Sequence, residues 1–362
     1  MEIFDECFES LPDTTLRPAD FDDFWNSQVT ELRKLSIDTQ SKRKISRKIL
    51  SETSYSLDFQ SAGKYRVHGH YLAPKKLIGK PPLVIIFQDY LQPQTGFRAL
   101  LNAGIAQLTI TLRGHESLDL VSNDKKSEEK KEEAAGTTKT KKGEPPIRSN
   151  VTEINVKKSP GYLKENLLEK RESYLTALYL DAYRALEVGR LRRESDSGRI
   201  AIWGRGTGCA MAIAAASLMN RATCLFLEKP ALCALETSLR HSKGVWADEI
   251  KEGLKGPKKN RKKLQENIQY FDSLYFAEAL KLPVGMAVNL TEDQNDPRSA
   301  FSLFHLLKDE KDMHLFTQDD ALAKANEKRK IIQTAVRFFS KHILDKELEE
   351  DVKVTGEEEK RD

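Results

Sequence analysis

The stretch Ile200-Ala-Ile-Trp-Gly204-Arg-Gly206-Thr-Gly208-Cys-Ala210 constrains the fold more than any other part of the chain. A continuous apolar run breaks at three alternating glycines and resumes as Met211-Ala-Ile-Ala-Ala-Ala-Ser217. An apolar run of that length without polar alternation reads as a strand buried on both faces. The glycines make a sharp turn, and the residues after it are small enough for a helix to lie close against a sheet. A phosphate-cradling loop is excluded, because the segment has neither the lysine of Gly-x-x-x-x-Gly-Lys nor the spacing of Gly-x-Gly-x-x-Gly. No cofactor motif is therefore read here.

The rest of the chain supplies strands and helices to surround this unit. With 362 residues, 39% hydrophobic and 31% charged, it is long enough to bury one large core. The expectation is a single domain over 1–362. No run approaches the length of a membrane span, and the start, Met1-Glu-Ile-Phe-Asp-Glu-Cys7, is acidic rather than basic-then-apolar, so a cytoplasmic location without a secretory signal is expected. A net charge of +4, from 59 basic against 55 acidic residues, argues against nucleic acid as a partner. Cys7, Cys209, Cys224 and Cys233 have no metal-ligand spacing and read as buried thiols.

In chain order, Pro18 to Leu35 reads as an amphipathic helix with Phe24, Trp25, Val29 and Leu32 on its buried face. Residues 55–60 and 65–72 alternate across a Gly63 turn, as an antiparallel hairpin does. His68 and His70 share a face there, but without acidic or cysteine company they read as strand surface rather than metal ligands. Pro82–Phe87 and Ala106–Leu112 are buried strands flanking a helix that Gly104 closes, a βαβ crossover. Residues 124–150 carry Lys/Glu runs and almost nothing apolar, which predicts a charged, disordered insertion. A long helix is expected within 163–193, with Tyr174, Tyr179 and Tyr183 packing rather than catalysing. Strands follow at 222–227, 283–290 and 313–316, then a last helix burying Ile331, Ile332, Ala335, Val336, Phe339 and Ile343, and a frayed charged tail from Glu347. The basic cluster Lys255–Lys263 reads as a solvated loop, with an anionic partner as the alternative.

Alternating strands and helices with polar and acidic strand ends describe a doubly wound, mostly parallel α/β sheet. Several segments in order narrow this: Pro18 to Trp25, Arg66 to Lys75, Arg113-Gly114, Tyr179 to Glu187, Arg199-Ile200 and Tyr270-Phe-Asp272. On these the chain resembles the acetyl xylan esterase / cephalosporin-C deacetylase family of α/β-hydrolases. The resemblance implies an α/β-hydrolase fold with an N-terminal helix and antiparallel hairpin. It also implies serine esterase ancestry, removal of acetyl groups from carbohydrates or cephalosporins, and assembly into a homo-oligomer without cofactor or metal. Residues 200–217 would then be the nucleophile elbow, Gly-x-Ser-x-Gly.

Carried over position by position, the chemistry is missing. The serine position is Gly206, the acid position is Glu292 with Asp293 beside it, and the histidine position, where the family has Phe-Gly-His-Glu, is Gln318. Glycine offers no nucleophile, and glutamine cannot shuttle a proton near neutral pH. The family's His-Gly-Tyr after the first core strand is Gln88-Asp89-Tyr90. Backbone N–H donors at Tyr90 and Thr207 survive as an oxyanion-hole-like pair, while Asp89 beside them opposes developing negative charge. Arg113 and His115 complete the candidate pocket. Cys209, at the start of the helix, is the other thiol or hydroxyl candidate beside Thr207. Two readings stand: a catalytically silent member with a binding or assembly role, holding a small acetylated or carbohydrate ligand, and an active acetyl esterase working through a rearranged site.

Overall fold

The computed structural model describes residues 2–44, 52–75, 79–115, 161–317 and 321–344. The insertion over 124–150, Gln318 and the tail from Glu347 lie outside them. Nine strands, β1 (Gln40–Lys44), β2 (Glu52–Gln60), β3 (Arg66–Pro74), β4 (Leu83–Phe87), β5 (Ala106–Ile110), β6 (Ile200–Arg205), β7 (Cys224–Glu228), β8 (Val284–Asn289) and β9 (Lys311–Phe316), form one sheet in the order β1-β2-β3-β5-β4-β6-β7-β8-β9. From β5 to β9 every neighbouring pair is parallel. The first three strands are antiparallel, and β3 joins β5 antiparallel. Strands β4, β5, β7 and β8 are buried along their whole length, because helices cover both faces of the parallel part.

The helices are α1 (Glu2–Phe8), α2 (Phe21–Arg33), α3 (Arg98–Asn102), α4 (Tyr174–Leu191), α5 (Gly208–Met219), α6 (Leu235–His241), α7 (Val245–Leu254), α8 (Arg261–Ile268), α9 (Ser273–Ala277), α10 (Pro297–Leu306) and α11 (Ala321–Leu344). On one face α4 and α5 pack on the sheet, α9 packs against α5, and α2 lies over them through Phe21, Phe24 and Trp25. The indole Nε1 of Trp25 donates to Tyr270 O at 3.1 Å. On the other face α3 and α11 cover Trp203 and Phe226 with Phe97 and Phe339. Ile331, Ala335, Val336, Phe339 and Ile343 are buried as the spacing predicts, and Ile332 is half-buried.

The helix expected within 163–193 is shorter at its start. Residues 162–172 hold two 3₁₀ turns, and α4 begins only after Ser173, whose extended backbone and Oγ, accepting from Leu175 N at 3.3 Å, cap the first turn. Asn166 at φ 55 would break a regular helix in any case. The three tyrosines are polar anchors: Tyr174 Oη donates to Arg113 O at 2.7 Å, Tyr179 Oη to Phe271 O at 2.7 Å, and Tyr183 Oη accepts from Arg33 Nε at 2.8 Å. His70 pairs with Ser54 Oγ at 2.8 Å and His68 with the Asp58 carboxylate. In the basic cluster Lys263 pairs with Glu169 at 2.7 Å. Among the described residues no helix is long and apolar enough to cross a membrane.

Candidate active site

Parallel strands deliver their carboxyl ends to one edge of the sheet, and that edge carries the candidate residues. In the β4–β6 ladder Phe87 stands opposite Gly204, so continuing both chains by two residues brings Asp89 beside Gly206. Between β6 and β7, Arg205 stands opposite Glu228. The start of α5 is seated against the end of β4: a Cβ on Gly208 would fall 2.3 Å from Phe87 O and 2.6 Å from Gln88 O. Gly206 itself has φ +53, the left-handed conformation that any nucleophile at this turn would have to bear. Its N–H donates to Glu228 O at 2.9 Å, and its carbonyl accepts from Ala231 N at 3.1 Å, so the turn keeps a defined shape without a side chain.

The space a side chain at Gly206 would need is taken by Asp89. A Cβ built there falls 2.1 Å from Asp89 Cγ and Oδ1 and 2.4 Å from Oδ2. Asp89 Oδ1 accepts from Tyr90 N at 2.8 Å, from Thr207 N at 2.8 Å and from Thr207 Oγ1 at 3.1 Å. Tyr90 N also reaches Thr207 Oγ1 at 2.8 Å. The two backbone donors do converge, and the Asp89 carboxyl group is what they hold, where the sequence suggested only a neighbour opposing a negative charge. Burial pushes the Asp89 carboxyl up, and the hydrogen bonds from Thr207 and Tyr90 pull against that without cancelling it.

Glu292 is engaged elsewhere. Lys229 Nζ lies 3.0 Å from Glu292 Oε2 and 3.0 Å from Glu327 Oε1, and Asn289 Nδ2 donates to both Glu327 oxygens at 3.2 and 3.1 Å. Burial works against the Lys229 charge, but Glu292 and then Glu327 carry its pKa upward. Glu327, buried on α11, was not among the sequence candidates, and no motif marks it. Next to this group, Arg205 holds Glu228 bidentately at 2.7 and 2.9 Å and donates to Gln88 Oε1 at 3.0 Å. Burial alone would raise the Glu228 carboxyl, and the Arg205 guanidinium reverses that and holds it below its usual range.

Arg113 and His115 are also committed. Arg113 donates to Asp181 at 3.0 and 2.7 Å, with its guanidinium 4.2 Å from the Tyr65 ring centroid. His115 is 3% exposed, hydrogen-bonds Arg113 O through Nδ1 at 3.1 Å, and meets the Tyr90 ring edge-on at 5.1 Å. Tyr90 Oη donates to Glu249 at 2.9 and 3.1 Å, and Glu249 also accepts from Gly161 N at 3.0 Å and Leu163 N at 3.1 Å. The Tyr90 hydroxyl is therefore turned into the packing, and burial followed by Glu249 raises its pKa. Cys209 is fully buried, its Sγ directed at Glu228 O at 3.4 Å, and burial pushes the thiol well up, which keeps it protonated and removes it as a nucleophile.

The chain's relatives agree with this architecture. The acetyl xylan esterase (AXE1) family model matches residues 1–338. An acetyl esterase, Axe7A, of Xylanibacter ruminicola is 21% identical over 301 residues, covering 83% of this chain and 62% of that protein, so the chain spans under two thirds of that relative's length. Among solved structures, the acetyl xylan esterase from Paenibacillus sp. R4 superposes with a TM-score of 0.71 at 23% identity, covering 91% of this chain and 98% of the other. The acetyl xylan esterase 1 from Thermoanaerobacterium sp. gives 0.68 at 19% identity, covering 90% and 97%. A nine-stranded, mostly parallel sheet with a glycine elbow at its centre and a family match over nearly the whole length lead to one assignment: this chain belongs to the acetyl xylan esterase family, with the α/β-hydrolase fold.

Proposed function

We propose that the chain is a catalytically silent member of this family, retained for a binding or assembly role. The observation that carries this reading is the Asp89 carboxylate lying where a side chain on Gly206 would stand, with its Oδ1 on the Thr207 and Tyr90 amides. Serine catalysis needs a nucleophile, a base and an orienting acid. Gly206 cannot supply the first, Gln318 cannot supply the second, and Glu292 is paired with Lys229. What remains when a triad is lost, on the order of a thousandfold over water, comes from the oxyanion hole and substrate binding. Here those donors already hold the Asp89 carboxyl oxygen. A rearranged esterase finds little support, since Cys209 is buried and protonated and the Tyr90 hydroxyl is held by Glu249.

The names of the relatives direct the proposed ligand to carbohydrate, and with the elbow filled the recognised part is the sugar rather than its acetyl group. An assembly of like subunits is proposed with it, and sedimentation analysis of the purified chain tests that part. The activity part is tested by assaying the protein on a simple acetate ester and on acetylated xylan. Rates at the protein-free blank are expected. Turnover that disappears in Tyr90→Phe or Cys209→Ala, and resists serine-directed inhibitors, would overturn the silent reading.

A further inference from the structure

The contacts of Asp89 describe more than an obstruction. Its Oδ1 has three donors, two of them backbone amides, while Cγ and Oδ2 fill the space beside Gly206. This is how a bound carboxylate is held: one oxygen on convergent N–H groups, the other beside it in a pocket shaped for a planar group. Two further features favour a negative charge at this point. The twelve-residue helix α5 begins at Gly208, directing its N-terminus toward the turn. Arg205 lies close enough for its charge to act favourably on Asp89.

We infer that Tyr90 N, Thr207 N and Thr207 Oγ1 form a monocarboxylate site that Asp89 fills in cis, and that a chain without the Asp89 side chain takes a free small carboxylate, such as acetate or formate, in its place. The chemical class follows from the resident group. Acetate reproduces the carboxylate together with the carbon that Asp89 Cβ supplies, and formate reproduces the carboxylate alone. A spherical anion such as chloride can meet the amides but cannot fill the second oxygen's position. The inference deepens the reading of the elbow as silent, yet it concerns the donors rather than turnover.

The loss of Asp89 has an uneven effect on its donors. Tyr90 N keeps Thr207 Oγ1 as an acceptor, whereas Thr207 N loses the one acceptor it has among the described residues. A buried or half-buried donor without an acceptor is a demand that a free anion can meet. Asp89→Ala is therefore expected to melt lower than the wild-type chain, and acetate or formate to restore it saturably.

The experiment measures thermal unfolding of the full chain, of Asp89→Ala and of Asp89→Asn in sodium acetate, sodium formate and sodium chloride at matched ionic strength. For Asp89→Ala the expected result is a rise of about 2–4 °C once acetate stands roughly tenfold above its dissociation constant, with no such rise in chloride. Wild type and Asp89→Asn, whose sites stay filled, are expected to show no difference between the salts. An equal acetate shift in wild type and Asp89→Ala, or equal shifts in acetate and chloride, overturns the inference. If Asp89→Ala does not fold unaided, its refolding yield is the readout: acetate-dependent recovery supports the site, and equal yields in both salts refute it. Hydrolysis of an acetate ester by the wild-type chain would overturn the silent reading alone and leave the acetate result standing.

Discussion

Restoring a serine at the elbow should fail on its own, and the reason can be measured as a coupling energy. Gly206→Ser introduces two penalties. A non-glycine residue must hold φ +53, which costs about 1–2 kcal/mol. Its Cβ must also displace a carboxylate 2.1 Å away, and that carboxylate then leaves the Thr207 and Tyr90 amides. Losing hydrogen bonds to a charged group costs about 1.5–3 kcal/mol, so the single variant is expected to lose about 3–5 kcal/mol. Asp89→Gly loses the same hydrogen bonds without the strain, about 2–3 kcal/mol. In the double variant the hydrogen bonds are lost once rather than twice and nothing collides, so the two changes should couple favourably by about 2 kcal/mol. Urea unfolding of the four proteins in the cycle reads this directly. Additivity within about 0.5 kcal/mol would mean that Asp89 does not occupy the serine's space, and the argument for the filled elbow would fail with it.

The same geometry makes further predictions. Adding Gln318→His to Gly206→Ser and Asp89→Gly supplies the two missing triad groups in a vacated site, and measurable hydrolysis of a simple acetate ester by the triple variant but not by Gly206→Ser/Gln318→His is the expected outcome. Arg205→Met leaves Glu228, at 8% exposure, without its bidentate partner and should cost about 3–5 kcal/mol in urea unfolding, with Glu228→Gln in the same chain recovering a large part. All four cysteines are buried, so iodoacetamide at neutral pH should label none of them in the folded chain and all of them in urea; rapid labelling of Cys209 in the native state would contradict its protonated, enclosed environment. Burial pushes the Asp272 carboxyl up from its ordinary 3.8 to about 6, against the pull of the Leu235, Leu274 and Ala234 amides. Between those values the folded chain holds a proton that the unfolded chain has lost, so the stability this group contributes is full below about pH 4 and is lost as pH rises through about 6, some 3 kcal/mol in all. Asp272→Asn should remove that component of the pH profile measured by urea unfolding.

Much of the fold is legible in the sequence because its strongest signals are local. The core strands are uninterrupted apolar runs, and the hairpin alternates along β2 and β3 as their register, Glu52↔Pro74 to Gln60↔Arg66, requires. What escapes is set by tertiary partners. Gln40–Lys44 is Gln-Ser-Lys-Arg-Lys, polar throughout, and is a strand only because β2 offers it a free edge. Glu2–Phe8 is too short and acidic to announce a helix, and it forms where Cys7 is buried and Phe4 meets Phe301 edge-on at 6.0 Å. At the site, Gly206 is plain from the sequence and Asp89 is noticed as a departure, but residues 117 positions apart meet only through the β4–β6 register. The paired signal is two departures of opposite size from the pattern the resemblance implies, Gly206 where it puts a serine and Asp89 where it puts a glycine. Reading them as one event requires knowing that the two turns face each other.

In the silent reading proposed above, facing turns are what let the elbow keep its shape without a serine. A serine exchanged for glycine leaves an unfilled volume and two backbone donors aimed at it, and an unmet buried donor costs about 1–3 kcal/mol. Asp89 supplies both the volume and the acceptor. The neighbouring groups follow the same logic: Glu292 is met by Lys229, Glu327 by Lys229 and Asn289, Glu228 by Arg205, and Arg205 also by Gln88. Among the described residues, Asp89, Glu292, Glu228 and Arg205 are each turned toward another group of the same chain. An active site has to leave such groups unsatisfied until substrate arrives, at a standing loss of stability. In the silent reading proposed above, these pairings set the elbow among the elements that hold the fold together, and the search for a binding surface turns away from it.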